Sequence, residues 1–203
     1  MDFTPVPINF DPVTKHLSLS STSSPDDPLA TALSAVNTLH RDLINLNADV
    51  PPPPNQINGR LTEQVRKLKD SGNQAFKRTA YADAIRMYTL AIEMALKRPA
   101  WEAAGYQREE ICLLYSNRAQ AYMSTAAWGE ALADSEAAIF LKRSFTKAHY
   151  RKGKCLQNMG RLRDAKDAYE LGLESGATAE GGSEAELKTA LAEVEELMRQ
   201  SGN

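Results

Sequence analysis

Apolar residues recur every three to four positions through most of this chain, in blocks that can be laid over one another, and that pattern predicts a stack of helix pairs. Three segments align: LKDSGNQAFKRTAYADAIRMYTLAIEMA from Leu68, YSNRAQAYMSTAAWGEALADSEAAIFLK from Tyr115, and HYRKGKCLQNMGRLRDAKDAYELGLESG from His149. Each has a small residue on a first helix (Gly72, Ala119, Gly153) and, twelve positions later, an alanine on a second (Ala84, Ala131, Ala165). Tyr88 and Tyr169 share a large aromatic position, and Ala91 and Ala138 lie three residues beyond that position in the first and second blocks. The second and third blocks are 34 residues apart and the first and second 47, so thirteen residues are inserted between the first two. Helices that cross closely need small side chains where they touch and a large ring in the groove beside them. A single pair cannot bury its own apolar face; three stacked pairs can, provided a further helix covers the last. Glu184 to Gln200 is expected to be that cover, because Leu187, Leu191, Val194 and Met198 form one apolar stripe among Glu and Lys.

The segment before the repeats follows a different rhythm. INFDPVTKHLSLS predicts two short strands, Ile8–Phe10 and His16–Leu19, around a proline-containing turn. Asp27 or Asp26 is placed to cap a helix that Pro28 begins, with Leu29, Leu33, Val36, Leu39, Leu43 and Leu46 along one side. Pro51 to Pro54 end it in a semi-rigid extended stretch. The expected organisation is a small unit over 1–50, a linker over 51–60 and a repeat domain over 61–203. The fold class is therefore all-α: a three-repeat helical solenoid with a C-terminal capping helix, preceded by a small hairpin-plus-helix unit. So small a unit has too thin a core to stand alone. It reads either as a lid on the repeats or as a surface for a partner protein.

Composition narrows the function. The chain has 203 residues, 42% hydrophobic and 25% charged, as in ordinary soluble proteins. No apolar stretch is long enough to span a bilayer, and MDFTPVPINFD lacks the basic start and apolar run of a secretory signal, so a cytosolic protein without direct membrane insertion is expected. A net charge of −2 and a pI near 6.0 give no general attraction to nucleic acid or anionic lipid. Cys112 and Cys155 fall among apolar neighbours on predicted helices, which favours reduced core thiols. His16, His40 and His149 make no recognisable triad or zinc site, and GATAEGGSE lacks the strand and the Lys-Ser/Thr of a phosphate cradle. That stretch reads as a flexible connection. No catalytic residue, metal or cofactor is expected.

The candidate chemistry lies elsewhere. Lys69 and Asn73 are four apart on the first block's opening helix, Lys147 and Arg151 are four apart on the third's, and Asn117 is on the second's. Spacing of four puts each pair on one helix face. If the opening helices line a groove, the five side chains converge there. Two ammonium groups, one guanidinium and two amides then offer donors to a peptide end bearing a main-chain carboxylate and an Asp side chain.

Through LKDSGN, YSNR and KAHYR the chain resembles the carboxylate-clamp tetratricopeptide domains of chaperone adaptors. The resemblance implies a ligand ending in Glu-Glu-Val-Asp, the terminus of the seventy- and ninety-kilodalton heat-shock chaperones. Lys69, Asn73 and Asn117 would hold the terminal carboxylate, and Lys147 and Arg151 the Asp side chain. Phe76, Tyr122 and His149 are candidates for the groove further along that peptide, with core packing as the competing reading. The insertion in LAIEMALKRPAWEAAGYQREEICLLYSNR prolongs the helices around Pro99 and Trp101. It resembles the Sec seventy-two family, the soluble tetratricopeptide subunits of fungal post-translational translocation complexes. That likeness implies a receptor bringing chaperones and their precursor polypeptides to the endoplasmic-reticulum membrane. A membrane-anchored companion subunit would tether it through the N-terminal unit and the outer repeat faces. A free cytosolic co-chaperone and a scaffold with an unused groove are the rival readings. Ser135, where a large aromatic is usual, and Gly172, where an Ala is usual, predict looser local packing.

Overall fold

The computed structural model describes residues 8–19, 27–46, 53, 56–176 and 184–200. The chain divides into two compact units, Met1–Gln56 with Pro99–Trp101, and Ile57–Arg98 with Glu102–Asn203. Asp26, most of the proline-rich linker and positions 177–183 of the expected flexible connection lie outside the described residues.

In the first unit β1 (Ile8–Phe10) pairs antiparallel with β2 (Leu17–Leu19), Ile8 opposite Leu19 and Phe10 opposite Leu17. The second strand starts one residue later than expected, because His16 belongs to the turn, its carbonyl accepting from the Asp11 N–H at 3.0 Å. Asp11 organises that turn by accepting from the Val13 N–H at 2.8 Å and the Thr14 hydroxyl at 2.6 Å. Helix α1 (Pro28–Leu46) is capped by Asp27, whose carboxylate accepts from the Leu29 N–H at 2.9 Å. Its inward face departs from the expected stripe in one respect. Leu33 is buried, but Val36 is 47% exposed and Asn37 takes the inward place. The Asn37 amide accepts from the Leu17 N–H and donates to the Leu17 carbonyl, both at 2.8 Å, so it satisfies backbone groups of β2 that an apolar residue would leave unpaired.

The second unit holds α2 (Gly59–Lys77) with α3 (Tyr81–Ala95), α4 (Ala104–Ser124) with α5 (Trp128–Leu141), and α6 (Thr146–Asn158) with α7 (Leu162–Gly176). Helix α8 (Glu184–Gln200) packs on α7 and α6. Helix α2 begins inside the expected linker, at Gly59, because the Asn58 side chain caps it by accepting from the Leu61 N–H at 3.1 Å. The turn inside each helix pair passes through one left-handed residue, Thr79 (φ 60°), Ala126 (φ 57°) and Gly160 (φ 77°), in the same 47- and 34-residue spacing as the repeat. Only the third uses the residue for which that conformation is free of strain.

The small residues are needed where the helices cross. A Cβ on Gly72 would sit 2.6 Å from the Tyr88 ring, and one on Gly153 would meet Tyr169 in the same way. In the middle pair Ala119 has its Cβ, and the aromatic position is Ser135, buried, its hydroxyl donating to the Ala131 carbonyl at 2.7 Å. Gly goes with Tyr in the first and third pairs and Ala with Ser in the second. The looseness expected at Gly172 is absent: a Cβ there would lie 2.7 Å from His149 Cβ, so the glycine permits a close approach of α6 and α7. Leu187 and Val194 of α8 are fully buried, and Leu191 and Met198 pack against the same cluster.

The inserted residues add a buried ion cluster. The Arg98 guanidinium donates to Glu102 at 2.7 Å and to Glu110 at 2.8 and 2.9 Å, and also to the Thr62 hydroxyl at 3.1 Å. Glu102 accepts in turn from the Asn58 N–H at 2.9 Å, and the Tyr106 ring lies 4.8 Å from the guanidinium. Burial pulls the Arg98 pKa down, but the bonds to Glu110 and Glu102 outweigh it and leave the group more firmly charged. The cluster ties the first turn of α2 to the stretch between α3 and α4.

Candidate functional site

Helices α2, α4 and α6 each contribute to one polar cluster. Asn73 Oδ1 accepts the Tyr88 hydroxyl at 2.8 Å and lies 3.5 Å from the Asn117 side-chain nitrogen. The Arg151 guanidinium donates to Gln120 Oε1 at 3.1 Å and to the Ser116 hydroxyl, which joins α6 to α4. Burial raises the Tyr88 pKa while the Arg151 charge draws it back, and burial lowers the Arg151 pKa with Tyr88 partly offsetting that. Arginine stays cationic at neutral pH even so.

The structure thus brings Asn73, Asn117 and Arg151 together. Lys69 sits one turn before Asn73, half-buried, and Lys147 one turn before Arg151, exposed. Among the described residues neither lysine is bonded to the other three, and none of Lys69, Lys147 and Arg151 is in a salt bridge. Three cations without a paired carboxylate, beside two amides, can receive an anionic group. Beside α4 a second network fixes the helix next to Asn117: Arg118 grips Asp134 at 2.8 and 2.7 Å, donates to the Thr89 hydroxyl at 2.9 Å, and lies 5.4 Å from the Tyr115 ring. A cavity of about 420 Å³ adjoins Lys69, lined also by Val65, Tyr106, Cys112, Leu114 and Phe145.

Sequence reasoning missed three members of the cluster. The sequence marks Tyr88 only as a ring that fills the helix crossing, yet its hydroxyl reaches Asn73. Ser116 and Gln120 were not singled out, although their spacing of four on one helix puts them on one face. Of the aromatic candidates for the groove, Phe76 packs on Tyr81 with ring centroids 5.3 Å apart, and Tyr122 lies 5.9 Å from the Arg118 guanidinium. His149 is buried against α5 and α7, with its Nε2 bonded to the Arg143 carbonyl at 2.8 Å, and its burial lowers its pKa. His149 serves packing, whereas Phe76 and Tyr122 are each only partly buried. Cys112 and Cys155 are buried free thiols, pushed up to about 11 and about 12 by desolvation. Among the described residues no group of three or more His, Cys, Asp or Glu could hold a metal ion.

Comparison with known proteins gives this geometry its context. No protein-family model matches the chain. The second tetratricopeptide domain of human RPAP3, solved in complex with the HSP70 peptide SGPTIEEVD, is 30% identical; the match covers 66% of this chain and 98% of that one, with a TM-score of 0.52. The chain belongs to the tetratricopeptide-repeat family. Within that family it resembles the ER protein translocation subcomplex subunit sec67 of Schizosaccharomyces pombe, 40% identical over 126 residues, or 61% of this chain. The match spans 66% of that relative's own length, just under two thirds, and smaller shares, from 13% to 38%, of several longer relatives. A chain in the Sec complex from S. cerevisiae has the same fold, with a TM-score of 0.73 over 97% of this chain and all of that one at 22% identity. These matches are to translocon-subunit and tetratricopeptide domains.

Proposed function

We propose that this tetratricopeptide protein is a receptor for the free C-terminal Glu-Glu-Val-Asp tail of cytosolic heat-shock chaperones, of the seventy-kilodalton class and with the same chemistry the ninety-kilodalton class. It brings them, with bound precursors, to the protein-translocation complex of the endoplasmic reticulum. The observation that carries the reading is the meeting of Asn73, Asn117 and Arg151 beside two lysines, with none of the three cations in a salt bridge among the described residues. In this reading Lys69, Asn73 and Asn117 take the terminal main-chain carboxylate, and Lys147 and Arg151 take the Asp side chain. The RPAP3 domain bound to SGPTIEEVD supports the ligand class, and the likeness to sec67 supports the place of work.

Among the described residues no helix is long and apolar enough to cross a membrane. In this reading the protein sits peripherally on the cytosolic face, held by a membrane-anchored companion subunit. The first unit is the proposed docking surface, with its expected boundaries near 1–50. Its support is exposed apolar side chains: Phe10 at 56%, Val13 at 87% and Ile44 at 57%. Phe140, 87% exposed on α5, extends the same argument to the outer repeat face.

The test is calorimetric titration of the chain with a Glu-Glu-Val-Asp peptide and with its C-terminally amidated form. Micromolar binding, roughly −8 kcal/mol, that is lost on amidation is the expected result. No binding to either peptide overturns the reading.

A further inference from the structure

An asparagine is ambiguous toward an anion: its NH2 attracts a carboxylate and its carbonyl repels one, and the two ends have nearly the same shape. A receptor that relies on Asn73 needs that amide held one way round. The structure supplies the holding group. The Tyr88 hydroxyl donates to Asn73 Oδ1 at 2.8 Å, and the Asn117 nitrogen approaches the same oxygen at 3.5 Å. Two donors on Oδ1 leave the Asn73 NH2 for a ligand. Turned over, that NH2 would face the Asn117 NH2, donor against donor.

The third repeat provides an internal contrast. Tyr169 occupies the matched position with the same glycine opposite it, but its hydroxyl donates to Gln157 at 3.2 Å, a residue outside the cluster. The tyrosine ring is therefore common packing, and the hydroxyl-to-asparagine bond is particular to the first repeat.

We propose that Tyr88 is a positioning residue that sets the preference for a free carboxylate over a carboxamide, by presenting the NH2 and not the carbonyl of Asn73 to the ligand. The inference rests on the tail-receptor reading above. Without the hydroxyl, Asn73 can turn over and offer its carbonyl to the NH2 of an amidated peptide, so the ligand classes should be told apart less sharply.

The test is titration of wild type and Tyr88→Phe with the Glu-Glu-Val-Asp peptide in free-acid and amidated forms. Phenylalanine keeps the ring against Gly72, and helical circular dichroism checks the fold. The acid-over-amide preference is expected to fall roughly tenfold in the variant, the scale of one hydrogen bond. An unchanged ratio, including one in which both peptides weaken equally, means that Tyr88 acts only through packing and overturns the inference. Absence of the preference in wild type removes the receptor reading itself and this inference with it. Should the variant unfold, side-chain amide NMR of the wild type decides: the Asn73 NH2 signals are expected to shift on saturation with the acid peptide, and unmoved signals overturn the proposal.

Discussion

At the scale of single residues, the cations and the crossings make separate demands. Lys147→Glu or Arg151→Ala is expected to cost tail binding about 2 kcal/mol or more, the scale for truncating charged, hydrogen-bonded partners, as titration of each variant will read. Gly72→Ala pushes a methyl into the Tyr88 ring and is expected to cost about 1–3 kcal/mol in denaturant unfolding, the range for overpacking. His149 titrates against the fold: burial lowers its folded pKa below the ordinary 6.5, so its contribution is full above pH 6.5 and is lost as pH falls from there toward the lowered folded value. Unfolding midpoints should drop over that window, and His149→Gln should flatten the drop. The residues legible in the sequence were those whose roles recur, such as the Gly/Ala crossings and the Lys/Asn/Arg positions. Asn37 and the Tyr88 hydroxyl were not, because a polar group that serves one partner 15 to 20 residues away leaves no periodic trace.

Among the elements, the start of α1 and the bounds of α8 agree with the sequence reading because each has a cap or a stripe that marks it, Asp27 before one and the Leu187-to-Met198 stripe along the other. Helix α2 starts at Gly59, within the stretch whose proline composition reads as linker, because Asn58 caps it there. The turns between paired helices carry a cost no hydrophobic pattern reveals. Ala126 is left-handed at φ 57°, where Gly160 stands in the third repeat, and Ala126→Gly is expected to raise stability by up to about 1 kcal/mol on chemical denaturation. Cys112 on α4 and Cys155 on α6 are both raised well above neutral pH by burial, so neither thiol should be alkylated in the native protein at pH 7.5.

For the whole molecule, the two-unit division assigns two tasks to two places in the reading given above. Removing residues 1–50 should abolish co-sedimentation with endoplasmic-reticulum membranes while peptide affinity stays within a factor of about two, since the proposed clamp lies entirely in the second unit. The solenoid was legible because stacking repeats the same requirement three times over. The thirteen inserted residues were visible as a gap in the count, but the salt-linked cluster they build was not, because its members come from positions 58, 62, 98, 102 and 110 with no common period.

Arg98, Glu102 and Glu110 also constrain how this chain can change over generations. Losing the arginine alone leaves two carboxylates facing each other in the interior, and losing one carboxylate strands part of a guanidinium whose side chain is 1% exposed; either step costs about 3–5 kcal/mol. Replacing all three with apolar residues of similar bulk is the milder change. The trio is therefore expected to pass from one generation to the next as a block. Descendants should keep the whole set or abandon it together, and lineages holding one or two of its members should be the rarest of all.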